Sequence, residues 1–363
     1  MKNIPETSLV SSFLVFYLVH SMQIGVGILG FQRVVAKTSG NDAWISIIIA
    51  GIGVHLIIWM IYKILAKQHG DITDVHRVIF GKWIGGALSS LFIIYCLLLS
   101  ITILRTYIEI IQVWVFPEFN AMIFSIFFLV LVFYIINGGF RAVTGIAFFG
   151  VVLPLYLIIT FTFPIKFSFF QNLFPIMDHS IKEIVMGAKN STLSFIGFEM
   201  LLIYFPFIKD SGKSQKWAHM GNAFTILLYL IAMVVSIGFF SQEQLERNIW
   251  ATISMLKIAE LPFVERIEYI AISSWILIIL PNICIALWGA SRIAKRIFNK
   301  RQRLFLLFFL SITVLLTTYI DTRIQIDMLN NLTAQIGFYI IYGYIPFLYI
   351  VSIIHTKWKE KKA

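Results

Sequence analysis

The sequence predicts an all-α integral membrane protein of about ten transmembrane helices, arranged as two inverted five-helix repeats in which the first and sixth helices are broken. Composition is the first reason. Hydrophobic residues make up 59% of the 363 positions and charged residues only 13%, whereas a soluble domain carries about 25% charge. The second is length: apolar runs of roughly 18 to 25 residues recur from Leu9 to Ile354, each long enough to cross a hydrocarbon core of about 30 Å. The third is that glycine and polar residues interrupt two of these runs at a depth where lipid cannot satisfy a free backbone.

The spans are read at approximately 9–32, 43–66, 86–112, 120–137, 143–163, 184–208, 219–240, 265–291, 304–320 and 334–355. No alternating pattern of a transmembrane β-barrel is present. The first run lacks a basic leader and a small-residue cleavage site, so it reads as a helix rather than a signal peptide. With no large soluble segment, residues 1–363 read as one integral domain, its repeats at approximately 9–163 and 184–355.

The net charge of +11 invites a nucleic-acid reading, but its distribution argues for topology. With a cytoplasmic N-terminus, and charges near span ends counted with the side they adjoin, inner segments hold 19 of the 29 Lys and Arg, outer segments nine, and Arg105 lies within a helix. Acidic residues run the other way, five inside and eleven outside, with Glu109 and Glu199 in helices. That is the positive-inside pattern, strongest at Arg292–Arg303 and Lys357–Lys362, and it places both termini in the cytoplasm. The partner implied is a lipid bilayer, with no nucleic acid. Cys96 and Cys284 fall inside helices and read as small apolar residues. Outside the spans, Lys166–Lys182 looks interfacial, with Phe167, Phe169, Phe170 and Phe174. The stretch Asn248–Leu261 has helical apolar spacing suited to a short helix over the mouth.

Two spans are irregular in a related way. The first carries His20, Ser21, Gln23, Gly25, Gly27 and Gly30 near its middle; the sixth carries Asn190, Ser191, Thr192, Ser194, Gly197 and Glu199. Five helices separate them, and a repeat of five helices must be inverted in the membrane. That layout places a binding site between two discontinuous helices near the midplane. The run Gln23-Ile24-Gly25-Val26-Gly27-Ile28-Leu29-Gly30 resembles the first-helix glycine motif of the amino acid–polyamine–organocation permeases. The ten-span length, the early first helix after Ile4-Pro5-Glu6-Thr7, Asn137-Gly138-Gly139 before Arg141, and Gly197-Phe198-Glu199 resemble the B subunits of bacterial spore germinant receptors within that superfamily. The resemblance covers essentially the whole chain. It implies a LeuT-type bundle in the spore inner membrane, binding a small nutrient, with an amino acid as the expected class. It also implies partner A and C subunits, which nothing else in the sequence reveals.

Candidate ligand-binding residues follow from the breaks. Gly25, Val26, Gly27 and Ile28 offer exposed amides and a half-helix N-terminus to an anionic group, although close helix packing also uses small residues. Phe195, Gly197 and Phe198 line the second break. Glu199 either meets a ligand amino group or locks a neighbouring helix. Tyr95 and Leu99 of the third helix flank the site, and Asn282 after Pro281 disrupts the eighth. His20 reads as structural or gating. Arg105 and Glu109, spaced i,i+4, read as an ion pair steadying the bundle. No nucleotide-binding, metal-ligand or nucleophile motif appears, so the expectation is no enzyme and no cofactor. The coupling-ion residues of transporting relatives are also missing: Ser273 and Ser274 come early in the eighth span, and Leu153–Phe163 has no lysine. A receptor built on a permease fold is the leading expectation. The alternatives are a proton-coupled amino-acid transporter and a non-binding scaffold subunit.

Overall fold

The computed structural model describes residues 4–68, 70–258 and 266–360. Helices α1 (Val15–Gln23) and α2 (Phe31–Ser39) are the halves of the first span, and α3 (Ala43–Gln68) is the second. The third belongs to α4 (Ile72–Trp114), the fourth is α5 (Ala121–Asn137), and the fifth joins α6 (Phe140–Val152) through a 3-10 stretch to α7 (Thr162–Ile165). The sixth is split into α8 (Ile181–Asn190), α9 (Thr192–Phe195) and α10 (Leu201–Tyr204). The seventh, α11 (Gln215–Phe239), is followed by the short α12 (Gln242–Arg247) and α13 (Ala251–Leu256). Then come α14 (Ile267–Phe298), α15 (Gln302–Tyr319), and α16 (Arg323–Phe338) joined to α17 (Ile345–Glu360).

Among the described residues, seven stretches are long and apolar enough to cross a membrane by themselves. The three remaining expected spans are the two broken ones and the 17-residue α5. The broken spans are deeply enclosed. Leu18 and Val19 of α1, which packs on α11 and α14, and Phe198, Leu201 and Leu202 of the sixth span, which packs on α14, are fully buried, while the residues facing outward, such as Phe127 on α5, are apolar and exposed. A bundle whose outside is as apolar as its inside suits lipid as solvent.

Boundaries depart from expectation where polar residues start helices. The third span was expected from residue 86, but α4 begins at Ile72 because the Asp71 side chain accepts from the amides of Thr73 and Asp74, and Asp74 caps in return. Gly81, at φ 79°, turns that first segment away from the rest. Asp71 and Asp74 also hold Arg296 of α14, and His76 lies 2.6 Å from the Tyr344 hydroxyl. The fifth span is less regular than expected, with Leu153–Phe161 wound as a 3-10 helix from Pro154 onward. A π segment, Tyr339–Tyr344, interrupts the tenth. Over the mouth, α13 realises the expected short helix, and 259–261 of that stretch lie outside the described residues. Cys96 and Cys284 are free and buried.

Candidate ligand-binding site

The first-helix break is built asymmetrically. Helix α1 makes its last regular hydrogen bond from the Ile24 amide to the His20 carbonyl at 2.9 Å, and Ile24 is already extended. Side-chain donors then satisfy the carbonyls freed by the unwinding. Asn282 Nδ2 donates to Ser21 O at 2.9 Å and Ile24 O at 3.4 Å. The Tyr229 hydroxyl donates to Gln23 O at 3.1 Å and Trp275 Nε1 to Gly25 O at 3.1 Å. Thr252 of α13 donates to Ile28 O at 2.7 Å. The amides of Gly25 and Val26, by contrast, have no hydrogen-bond partner among the described residues. Native folds rarely leave buried N–H groups open, and an opened segment with filled acceptors and bare donors favours an anion.

Two buried acceptors face the same space. Gln23 spends its NH2 on Asn222 Oδ1 at 2.9 Å and Phe195 O at 3.3 Å, leaving Oε1 unpartnered. Asn282 spends its NH2 on the carbonyls above, leaving Oδ1 unpartnered. Both residues line a cleft of about 440 Å³, its opening to solvent included, with Gly25, Val26 and Gly27 on one side and Leu99, Ile103, Leu193 and Ile196 supplying apolar surface. Thr102 and Thr333 share a 2.7 Å hydrogen bond at its edge. Through Val26, Gly27 and Leu193 the cleft adjoins a more polar vestibule of about 780 Å³, its opening to solvent included, bordered by Arg33, Asn190, Trp250, Arg323 and Asp327.

The sixth-helix break supports this cleft from beneath. Ile196 is extended and Gly197 takes φ 111°, a region closed to most side chains. Glu199 folds back so that the Gly197 amide donates to both its carboxyl oxygens, at 2.9 and 2.8 Å. The Tyr95 hydroxyl donates to Glu199 Oε1 at 2.6 Å. A Cβ on Gly197 would lie 2.9 Å from Met22 O, so the two breaks press directly together.

Of the expected ligand-binding residues, the structure places Gly25, Val26, Gly27, Leu99 and Asn282 on the cleft. Phe195, Gly197, Phe198, Glu199 and Tyr95 are packed beside it, with Phe195 against the Tyr229 ring at 5.1 Å. Ile28 faces the opposite side of the break. Gln23, Thr102 and Thr333 add polar groups to the lining, and of these only Gln23 carried a sequence signal, as a polar residue beside the glycines. His20 is buried 2.8 Å from Thr225 Oγ1 and stacked on Phe16.

One expectation is corrected. Arg105 and Glu109 are not each other's contact partners. The Arg105 guanidinium bonds the carbonyls of Ile320 and Asp321 and the side chain of Gln112. Glu109 pairs with Arg323 of α16 at 2.6 Å, and Arg323 also reaches Asp327 at 2.6 Å. An i,i+4 spacing brings Cβ atoms close, but long side chains turn to whichever partner lets them cap open backbone. Removing Arg323 strands a nearly buried carboxylate. Arg323→Met is expected to lower unfolding stability by roughly 1–3 kcal/mol, with Glu109→Gln in the same chain recovering much of it. Thermal unfolding of the two singles and the double checks this.

Comparison with known proteins agrees with this architecture. Residues 9–326 match the family profile described as spore germination protein. The chain is 46% identical over 360 residues to spore germination protein GerQB of Bacillus cereus, covering 99% of this chain and 100% of that one. It is 25% identical over 366 residues to spore germination protein YndE of Bacillus subtilis (strain 168), covering 98% of each. Among solved structures it is similar to MhsT in complex with L-phenylalanine, at TM-score 0.70 and 12% identity over 95% of this chain and 88% of that one. A Na+-coupled sialic acid symporter in a substrate-bound, outward-open state gives TM-score 0.66 and 12% identity over 96% of this chain and 79% of that one. Those two likenesses identify the LeuT-type fold. Extended similarity to germination proteins, joined to multiple apolar helices with paired breaks, shows that this chain belongs to the spore germination protein family and is a multi-pass membrane protein.

Proposed function

We propose that this chain is the membrane-embedded nutrient-binding subunit of a spore germinant receptor and that its ligand is a free amino acid. The observation that carries the reading is the pairing of two bare amides, at Gly25 and Val26, with two orphaned acceptors, Gln23 Oε1 and Asn282 Oδ1, across one cleft. An amino acid's carboxylate suits the amides and its ammonium group the side-chain oxygens. Leu99, Ile103, Leu193 and Ile196 favour a small aliphatic side chain. Charge-assisted bonds to preplaced groups contribute about 1.5–3 kcal/mol each, so affinity comes from a few atoms at the break.

In this reading the ligand closes the bundle over the cleft, and its differential affinity for open and closed forms biases the partner A and C subunits. The chain sits in the spore inner membrane with cytoplasmic termini. The transporter reading keeps a foothold in the fold likeness to a Na+-coupled symporter. Proteoliposomes separate the two. The purified chain is expected to bind a radiolabelled amino acid saturably without accumulating it under a proton or sodium gradient. Gradient-driven accumulation would overturn the receptor reading, and an absence of binding across all twenty amino acids would leave the scaffold reading standing.

A further inference from the structure

The unwound first helix has a rear face as well as a front one. Behind it lies a second cavity of about 650 Å³, its open mouth included, bounded by Ile24, Ile28, Pro154, Leu157, Ile158 and Ile278. Among the described residues, no Asp, Glu, Lys or Arg lines it. Its hydrogen-bonding side chains are already engaged: Ser21 with Leu18 O, Thr160 with Leu157 O, Thr252 with Ile28 O, and Trp275 with Gly25 O. His20 faces Thr225 through Nδ1, leaving Nε2 as the one ring nitrogen not so committed. The front cleft presents open donors and acceptors, whereas a guest behind the break meets mainly apolar surface. An apolar cavity of this kind excludes water and takes apolar guests.

Its mouth indicates which guest. Leu155 lines the cavity and is 39% exposed, and its neighbours Leu153 and Ile159 are 52% and 66% exposed. All three lie on the apolar stretch Phe140–Ile165, which is long enough to span a membrane, so hydrocarbon is the medium at the opening. The wall is the 3-10 stretch Leu153–Phe161, narrower than an α-helix, which leaves room beside Ile24 and Ile28. We propose that this cavity takes the end of one bilayer acyl chain, entering past Leu155 and resting against the back of the first-helix break. A chain end wedged there contacts the same unwound segment that borders the front cleft. If the segment moves when the cleft closes, lipid and front-cleft ligand are coupled, each altering the other's affinity by the same factor. The site itself rests on the fold and its lining, not on the proposed nutrient.

The test uses the full chain in nanodiscs containing a phosphatidylcholine with a diazirine near the end of one acyl chain. After photolysis, adducts are mapped by mass spectrometry. Adducts are expected on Leu157, Ile158 and Ile278, in addition to those on the exposed face of α5 at Phe127. Leu155→Trp plugs the mouth and is expected to lower the cavity adducts about tenfold, equivalent to roughly 1.4 kcal/mol of lost occupancy, with Phe127 labelling unchanged. Leu155→Ala, which widens the mouth, is expected to raise them or leave them at the original level, and guards against a misfolded Trp variant. Labelling confined to the outer faces, or cavity labelling indifferent to Leu155→Trp in a chain of unaltered melting temperature, would overturn the proposal.

Discussion

Gly25→Leu is expected to abolish amino-acid binding while leaving a folded protein. A Cβ at Gly25 would stand 3.0 Å from Asn282 Nδ2 and 3.9 Å from its Cγ, close enough to displace that side chain but not to strike backbone. The remaining leucine atoms would then occupy the cleft between the break and Leu99. Loss of two charge-assisted contacts at about 1.5 kcal/mol each predicts at least roughly a hundredfold weaker binding. Gly25→Ala adds only the Cβ and is expected to cost about tenfold. Equilibrium binding of a radiolabelled amino acid, alongside thermal unfolding of each variant, checks both. Unchanged affinity in a folded Gly25→Leu protein would remove the first break from the site.

Glu199→Ala is expected to produce the largest loss of stability among single changes near the site. The carboxyl group accepts from the Gly197 amide and the Tyr95 hydroxyl in a fully buried position. Alanine strands both donors, each at about 1–3 kcal/mol, and leaves a cavity as well. Glu199→Gln keeps one oxygen for the Gly197 amide, and its NH2 can donate to the Tyr95 oxygen, so most of the stability is expected to return. Tyr95→Phe removes a single donor and is expected to cost about 1 kcal/mol. Unfolding of the purified variants in detergent ranks them. Equal stability of the alanine and glutamine variants would show that Glu199 does not hold the two helices together.

These two residues also mark what the sequence could and could not show. Glycines and amides inside otherwise unbroken apolar runs have no use in a lipid-facing helix, so both breaks were legible. Glu199 was legible as an intramembrane carboxylate but not as a cap on its own chain. That role depends on Gly197 adopting φ 111°, which a glycine permits but does not require. Arg105 and Glu109 misled for a related reason: the true partner of Glu109 lies 214 residues away on α16, beyond the reach of any local spacing rule. The 3-10 winding after Pro154 and the π segment at Tyr339–Tyr344 are tertiary outcomes in uniformly apolar sequence, where periodicity carries no signal. The cleft's acceptors belong to the same class. Gln23 and Asn282 were visible as polar residues in helices, but only the fold shows that each commits its NH2 elsewhere and leaves its oxygen open.

The most direct test of this account is a structure of the full chain with whichever amino acid binds most tightly in a panel of the twenty. The expected density lies in the cleft, with the carboxylate within hydrogen-bond distance of the Gly25 and Val26 amides and the ammonium group facing Gln23 Oε1 and Asn282 Oδ1. Density only in the vestibule beside Trp250 and Arg323, with the cleft empty, would contradict it.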